Sequence, residues 1–413
     1  MTDDSVYDEL GVPTVVNASG TKTRIGGSRI RPEALDAMER AAESFVRLSD
    51  LQAAASDRIA EVTGAEAGYV ANGAAGALLL SAAACIAGID PGVMSRLPDT
   101  EGVPDEIVMP RSHRTGYDHA LRGAGAEIVD IGSSDRHLGT GSRNVEPWMY
   151  ADAIDEDTAA VAHVYKDYEG PSLAEVCDIA HEHDVPVIVD AAAELPPVTN
   201  LSWFTEQGAD LVAFSGGKAI RGPQTTGILA GRADLVESVA AQHLDMHAAG
   251  EVWGPPERLL DRSRFDGVPV QGVGRPLKVG KEELVGLLAA LESFVDEDHD
   301  DTRAVWRARA DRVANALGDV EGLSTVVADG GKNAGPTVEV TVDESVTDVS
   351  TVDLVGALRR ENPRVFVGAD ALDAHQFSVD PMCLTDDEAD HVVERIRANL
   401  GTESGQNGGG TDA

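Results

Sequence analysis

The chain has 413 residues, 71 of them acidic against 33 basic, for a net charge of −38. That length accommodates two domains and a large core, while the charge opposes binding to a phosphate backbone, which rests on Lys and Arg. The carboxylates are scattered through amphipathic segments, as expected of a protein kept soluble in a salt-loaded cytoplasm. The acidic N-terminus lacks a signal-peptide pattern. No run approaches the ~18 consecutive apolar residues of a membrane span, so the expected location is cytoplasmic, with neither membrane nor nucleic acid as partner. Cys85, Cys177 and Cys383 are far apart and form neither a disulfide framework nor a metal-binding pattern, so no metal site is expected.

In chain order, 69–71 reads as a short strand feeding a small-residue helix over 74–87. Strands are predicted at 106–109, 127–131, 159–164, 185–190, 211–214 and 227–230, with helical segments at 117–124 and 172–183. Strand and helix alternating in this way predict a largely parallel sheet covered on both faces. Val187-Ile188-Val189 is the continuous apolar run of a strand buried on both sides. Beyond Pro276, a helix over 278–295 reads as a connection to a second, smaller α+β domain. That domain has helices at 303–317, 352–360 and 386–400 and strands at 337–342, 364–367 and 377–379. The expected division is an N-terminal segment 1–40, a large domain 41–275, a linking helix with small domain 276–400, and a disordered tail 401–413.

The chain has six lysines, the other 27 basic residues being arginine. One of them, Lys218, stands in Phe214-Ser215-Gly216-Gly217-Lys218-Ala219-Ile220-Arg221-Gly222-Pro223-Gln224, between a predicted strand and a Gly-Pro turn. An amine condenses with an aldehyde and a guanidinium does not, which marks Lys218 as a Schiff-base lysine. Asp190 ends a predicted strand 28 residues earlier, at the sheet edge where open α/β sheets bind ligands. A lysine for the aldehyde and an acid for the pyridinium nitrogen are the pair that pyridoxal 5′-phosphate requires. Asn72-Gly73-Ala74 opens a helix with small residues, an arrangement suited to a phosphate. Ser215 can add a hydroxyl to it. His113, after the strand at 106–109, can lie over the pyridine face and move protons near neutral pH. A nucleotide P-loop is excluded, because Ala219 follows Lys218 where Ser or Thr is needed.

These runs resemble fold-type I pyridoxal phosphate enzymes, which share the aspartate aminotransferase-like fold. Within them the chain is similar to the selenocysteine synthase (L-seryl-tRNA(Sec) selenium transferase) family and its tRNA-independent ammonia-lyase relatives, here in a haloarchaeon-type organism. The likeness is carried by Val16-Asn17-Ala18-Ser19-Gly20-Thr21, residues 66–76, Val189-Asp190-Ala191-Ala192-Ala193-Glu194-Leu195-Pro196-Pro197, the Lys218 run, and Gly274-Arg275-Pro276-Leu277-Lys278-Val279-Gly280-Lys281. It implies a homodimer or higher assembly in which Gln224, Thr225 and Thr226 reach a neighbour's phosphate, and a small anionic substrate met by Arg24, Lys278 and Lys281. It further implies α,β-elimination to a 2-keto acid and ammonia, with β-replacement, aldol-type cleavage or aminotransfer as alternatives on the same cofactor. Selenocysteine synthases have an acidic residue before the lysine and a tRNA-binding N-terminal module. Here Gly217 precedes Lys218 and the Asn17 motif begins almost at once, which favours a small substrate.

Overall fold

The computed structural model describes residues 5–133, 145–166, 170–265, 267–329 and 335–401. The predicted tail, apart from Gly401, lies outside the described residues. The strands in chain order are β1 (Val15–Ala18), β2 (Ala67–Asn72), β3 (Glu106–Pro110), β4 (Glu127–Ile131), β5 (Thr158–Val164) and β6 (Val187–Asp190). They continue with β7 (Leu211–Ser215), β8 (Thr226–Gly231), β9 (Leu323–Asp329), β10 (Pro336–Val342), β11 (Arg364–Val367) and β12 (Gln376–Val379). The chain divides into two compact units, residues 30–297 and residues 1–29 with 298–413.

The larger unit is built on a seven-stranded sheet ordered β2-β8-β7-β6-β5-β3-β4. Every pairing is parallel except those of β8, which runs against β2 and β7. Successive side chains leave a strand on opposite faces, and here both faces are apolar. Ile107, Met109, Ala160, Ala162, Ile188, Leu211, Ala213 and Leu229 pack into one core with the helices Gly73–Ala87 and Ala233–His243. Val108, Val161, Val187, Val189, Val212, Phe214 and Ile228 pack into another with the helices Leu48–Thr63, Leu173–Glu182 and Lys281–Asp296. A sheet covered on both sides buries its parallel strands and leaves one open edge, at their C-terminal ends, for chemistry.

The smaller unit holds an antiparallel sheet, β12-β10-β9, and a parallel pair, β1 with β11. Its core gathers Val16, Val338, Val340, Val365, Val367, Phe377 and Ile396. The mostly parallel α/β sheet with a smaller sheet-containing unit agrees with the expected fold class. The boundaries differ. Pairing of β1 with β11 draws residues 1–29 into the smaller unit, whereas the helix Pro32–Ala42 belongs to the larger one. The expected linking helix, Lys281–Asp296, also belongs there, because Leu284, Leu287, Leu291 and Phe294 fill the second core. Among the described residues no helix is long and apolar enough to cross a membrane.

Candidate active site

Strand order brings most of the expected residues to one edge of the larger unit. The parallel strands β7, β6, β5 and β3 end there at Ser215, Asp190, Val164 and Pro110, and β8, running the other way, begins there at Thr226. Asn72 at the end of β2 pairs in register with Thr226, and Ser215 pairs with Gly227. Asn72, Ser215 and the turn carrying Lys218 are therefore neighbours across three strands, although the sequence separates Asn72 from Ser215 by more than 140 residues.

Glycines decide how closely the loops approach. A Cβ on Gly227 would lie 2.3 Å from the carbonyl carbon of Gly73 and 2.6 Å from the nitrogen of Ala74, so the helix Gly73–Ala87 starts directly against β8. Gly73 has φ +70°, a conformation that favours glycine. Asn72, at the N-cap, makes no capping bond with its own side chain, and Gly73, Ala74 and Ala75 bring no side chain that could fill the helix mouth. This backbone cradle suits an anionic oxygen cluster.

Lys218 follows β7 in a tight turn, with Gly222 N–H donating to Gly216 O at 2.8 Å and Arg221 N–H to Lys218 O at 3.0 Å. Arg221 carries φ +59° to complete it. The turn starts from Gly216, whose N–H donates to Thr226 O at 2.8 Å. Asp190 is pushed above the usual carboxylate range by burial, against the pull of the Ala192 N–H and of the Lys218 charge. The N–H of Ala192 donates to its Oδ1 at 3.0 Å. Lys218 thus stands close enough to Asp190 to act on it electrostatically, yet burial still dominates. A carboxyl raised in this way is stabilised by a cationic N–H, which is what a protonated pyridine offers. The donor set fits pyridoxal phosphate: an amine, a carboxyl short of positive charge, and a side-chain-free helix mouth.

His113 ends the short helix Arg111–His113 after β3 and is buried. Its Nδ1 accepts from the Val164 N–H at 3.3 Å, and Val164 pairs in register with Asp190. His113 and Asp190 therefore flank the same residue of β5. Burial, with the Lys166 charge second, pushes its pKa down to about 4. The expectation that it exchanges its charge near neutral pH is corrected: removed from water, the imidazole stays neutral there.

Other placements are mixed. Thr226 is fully buried and its hydroxyl donates to Pro223 O at 2.7 Å, so it holds the turn and does not face outward to a neighbour's phosphate. Thr225 is exposed and bonds Glu283, and Gln224 packs against Gly217. Lys281 donates to Ala41 O at 2.7 Å, joining two helices, and pairs with Glu282 beside it on its own helix. Lys278 is exposed and lines an open groove with Gln271 and Arg275. Arg24 lies in the smaller unit, exposed, in the short helix Thr23–Ile25.

Two features lay outside the sequence reading. Tyr69 O–H and His243 Nδ1 are 2.9 Å apart, and His243 Nε2 lies 2.8 Å from Leu277 O. Both side chains are buried and burial holds the imidazole neutral, so His243 donates to Leu277 and accepts from Tyr69. This ties the segment bearing Arg275 and Lys278 to β2. Lys166 donates to Ser112 O at 2.6 Å; its rarity as a lysine was the available signal.

Comparison with known proteins identifies the family and the fold. The family model for SelA, L-seryl-tRNA selenium transferase, matches residues 15–247. The chain belongs to this family. Across its full length it is similar to D-glucosaminate-6-phosphate ammonia lyase of Salmonella typhimurium, at 30% identity over 95% of this chain and 97% of that protein. It is likewise similar to a 5′-C-glycyluridine monooxygenase-decarboxylase of a Streptomyces species, at 32% over 98% and 95%. An L-seryl-tRNA(Sec) selenium transferase of Desulfovibrio desulfuricans matches at 29%, over 54% of this chain and 49% of that one. The solved D-glucosaminate-6-phosphate ammonia-lyase superposes with TM-score 0.80 and 29% identity, over 97% of this chain and 99% of that one. The fold extends to a cysteine desulfurase, CsdA of Escherichia coli, at TM-score 0.54 and 18% identity. As a SelA-family member with these neighbours, the chain is a fold-type I pyridoxal phosphate-dependent enzyme.

Proposed function

We propose that the chain is a lyase acting on a small anionic β-hydroxy amino acid or amino-sugar acid, which it converts to a 2-keto acid and ammonia. The observation that carries this reading is the placement of Asp190 at the end of β6 beside β7, which leads directly into the turn bearing Lys218, and full-length similarity to an ammonia lyase supports it. Lys218 would hold the cofactor aldehyde, Asp190 the ring nitrogen, His113 a ring face, and Asn72, Gly73, Ala74 and Ser215 the phosphate. When bound, pyridoxal phosphate supplies an aldehyde for the substrate amine and a ring that accepts the electron pair of a carbanion.

The chain's own residues account for the proton movements. Lys218 Nζ takes the proton from the substrate Cα. Asp190 keeps the proton on the ring nitrogen, its raised pKa matched to sharing that proton. His113, with Nδ1 held by Val164, presents Nε2–H as a neutral donor. The β-hydroxyl leaves as water and one water returns at Cα, so keto acid and ammonia together contain the atoms of the substrate. Lys278, beside Arg275 on an open groove, supplies charge for the anionic end. Exposed Leu35, Phe45, Val46 and Leu48 on the larger unit support a homo-oligomer, with the exposed Thr225 and its neighbour Gln224 as candidates to reach the adjoining chain's phosphate.

A second reading, oxidative decarboxylation at Cα of a nucleoside-linked amino acid, is favoured by the 32% full-length similarity to the Streptomyces protein. Purified holoenzyme incubated with amino-sugar acids and hydroxy amino acids separates them. Keto acid and ammonia in equal amounts, without oxygen uptake and without added RNA, support elimination. Carbon dioxide release coupled to oxygen uptake, or turnover confined to a charged tRNA, overturns it.

A further inference from the structure

The end of β5 and the residues just after it touch the turn bearing His113 at three points. His163, buried within the strand, meets the His113 ring edge-on, with centroids 4.6 Å apart and planes at 89°. The Val164 N–H donates to His113 Nδ1 at 3.3 Å. Lys166 donates its ammonium to Ser112 O at 2.6 Å. One contact fixes the tilt of the ring, one fixes which nitrogen accepts, and one fixes the backbone immediately before it. With Nδ1 accepting, the proton of the neutral ring resides on Nε2.

We propose that His163 and Lys166 are positioning residues for His113, holding its ring plane and its Nε2–H tautomer at the cofactor edge. The inference rests on the reading of His113 as the residue against the cofactor face. Residue types support it. The rest of β5, Thr158-Ala159-Ala160-Val161-Ala162 and Val164, is small or aliphatic, and His163 lies in register with Val189, a place where packing alone calls for no imidazole. Lys166 is one of six lysines in a chain that otherwise uses arginine. A compact ammonium on a flexible stem reaches the Ser112 carbonyl, where a planar guanidinium favours forked acceptors. Its charge also disfavours protonation of His113.

The test uses apoprotein with 15N-labelled histidine, the His113 signals being those absent from His113→Gln. Wild type is expected to show Nδ1 as an unprotonated acceptor and Nε2 as protonated. In His163→Phe and Lys166→Met the two nitrogens should move toward averaged shifts, and the dissociation constant for pyridoxal phosphate should rise about tenfold. Lys166→Arg should recover part of both effects, whereas a merely space-filling role would leave the tautomer unmoved. His113 signals unchanged in both variants overturn the proposal. Altered signals in a protein that binds no pyridoxal phosphate support the clamp and overturn the reading of the site. Normal cofactor binding with unaltered signals supports that reading and overturns the clamp.

Discussion

A Cβ on Gly217 would lie 2.7 Å from both the Cα and the Oε1 of Gln224. The turn bearing Lys218 closes on Gln224 with no room for a side chain at the preceding residue. The glycine that departs from the selenocysteine synthase pattern therefore has a packing cause.

Gly217→Ala should force the turn away from Gln224 and displace Lys218. We expect weaker pyridoxal phosphate binding in an absorbance titration, with partial recovery in the double variant Gly217→Ala/Gln224→Gly. Wild-type affinity in the single variant would mean that the turn absorbs the methyl group without moving Lys218.

Lys218→Ala should abolish borohydride-fixable attachment of the cofactor and lower turnover by about 10²–10⁴-fold or more, with the fold intact by circular dichroism. Asp190→Ala should spare attachment and remove most of the turnover. A fixable cofactor in Lys218→Ala would assign the amine elsewhere, and an active Asp190→Ala would assign the ring nitrogen to another group.

His113 gives stability a definite pH dependence. Its folded pKa, about 4, lies below the ordinary ~6.5, so between these values the unfolded chain binds more protons than the folded one. Its contribution therefore favours folding fully above about pH 6.5 and is lost as pH falls toward 4. Each pH unit in that window costs about 1.4 kcal/mol. His113→Gln should flatten this part of the thermal stability profile relative to wild type. Parallel profiles for the two proteins would show that His113 titrates normally in the fold.

The net charge of −38 should repel itself in dilute buffer, where the Debye length is about 30 Å at 0.01 M against about 3 Å at 1 M salt. We propose a salt-adapted protein on this ground. Melting temperature should fall on dialysis to low ionic strength and return with molar salt. A flat response in differential scanning calorimetry would remove the halophilic reading.

Much of this protein was determined by local sequence. Apolar runs such as Val187-Ile188-Val189 can satisfy their backbone and bury both faces only in a covered sheet, and β4 and β11 fall where their residues predict. A lone lysine between a strand and a Gly-Pro turn, with an acid ending the preceding strand, is the local pattern from which the proposed chemistry is read. Short elements such as β1 were not legible, because a partner remote in the chain stabilises them: β1 pairs with β11 across more than 340 residues. Side-chain commitments were decided by tertiary structure alone. Lys281 and Thr226 have the residue types of ligand-binding groups, yet Ala41 O and Pro223 O take their donors. His113 has an ordinary histidine's sequence context, and its lowered pKa arises from burial, with the Lys166 charge second. A sequence carries the kind of each donor and its local strand or helix; which acceptor it meets, and how dry that meeting is, depends on strand order, which sums contacts across the whole sheet.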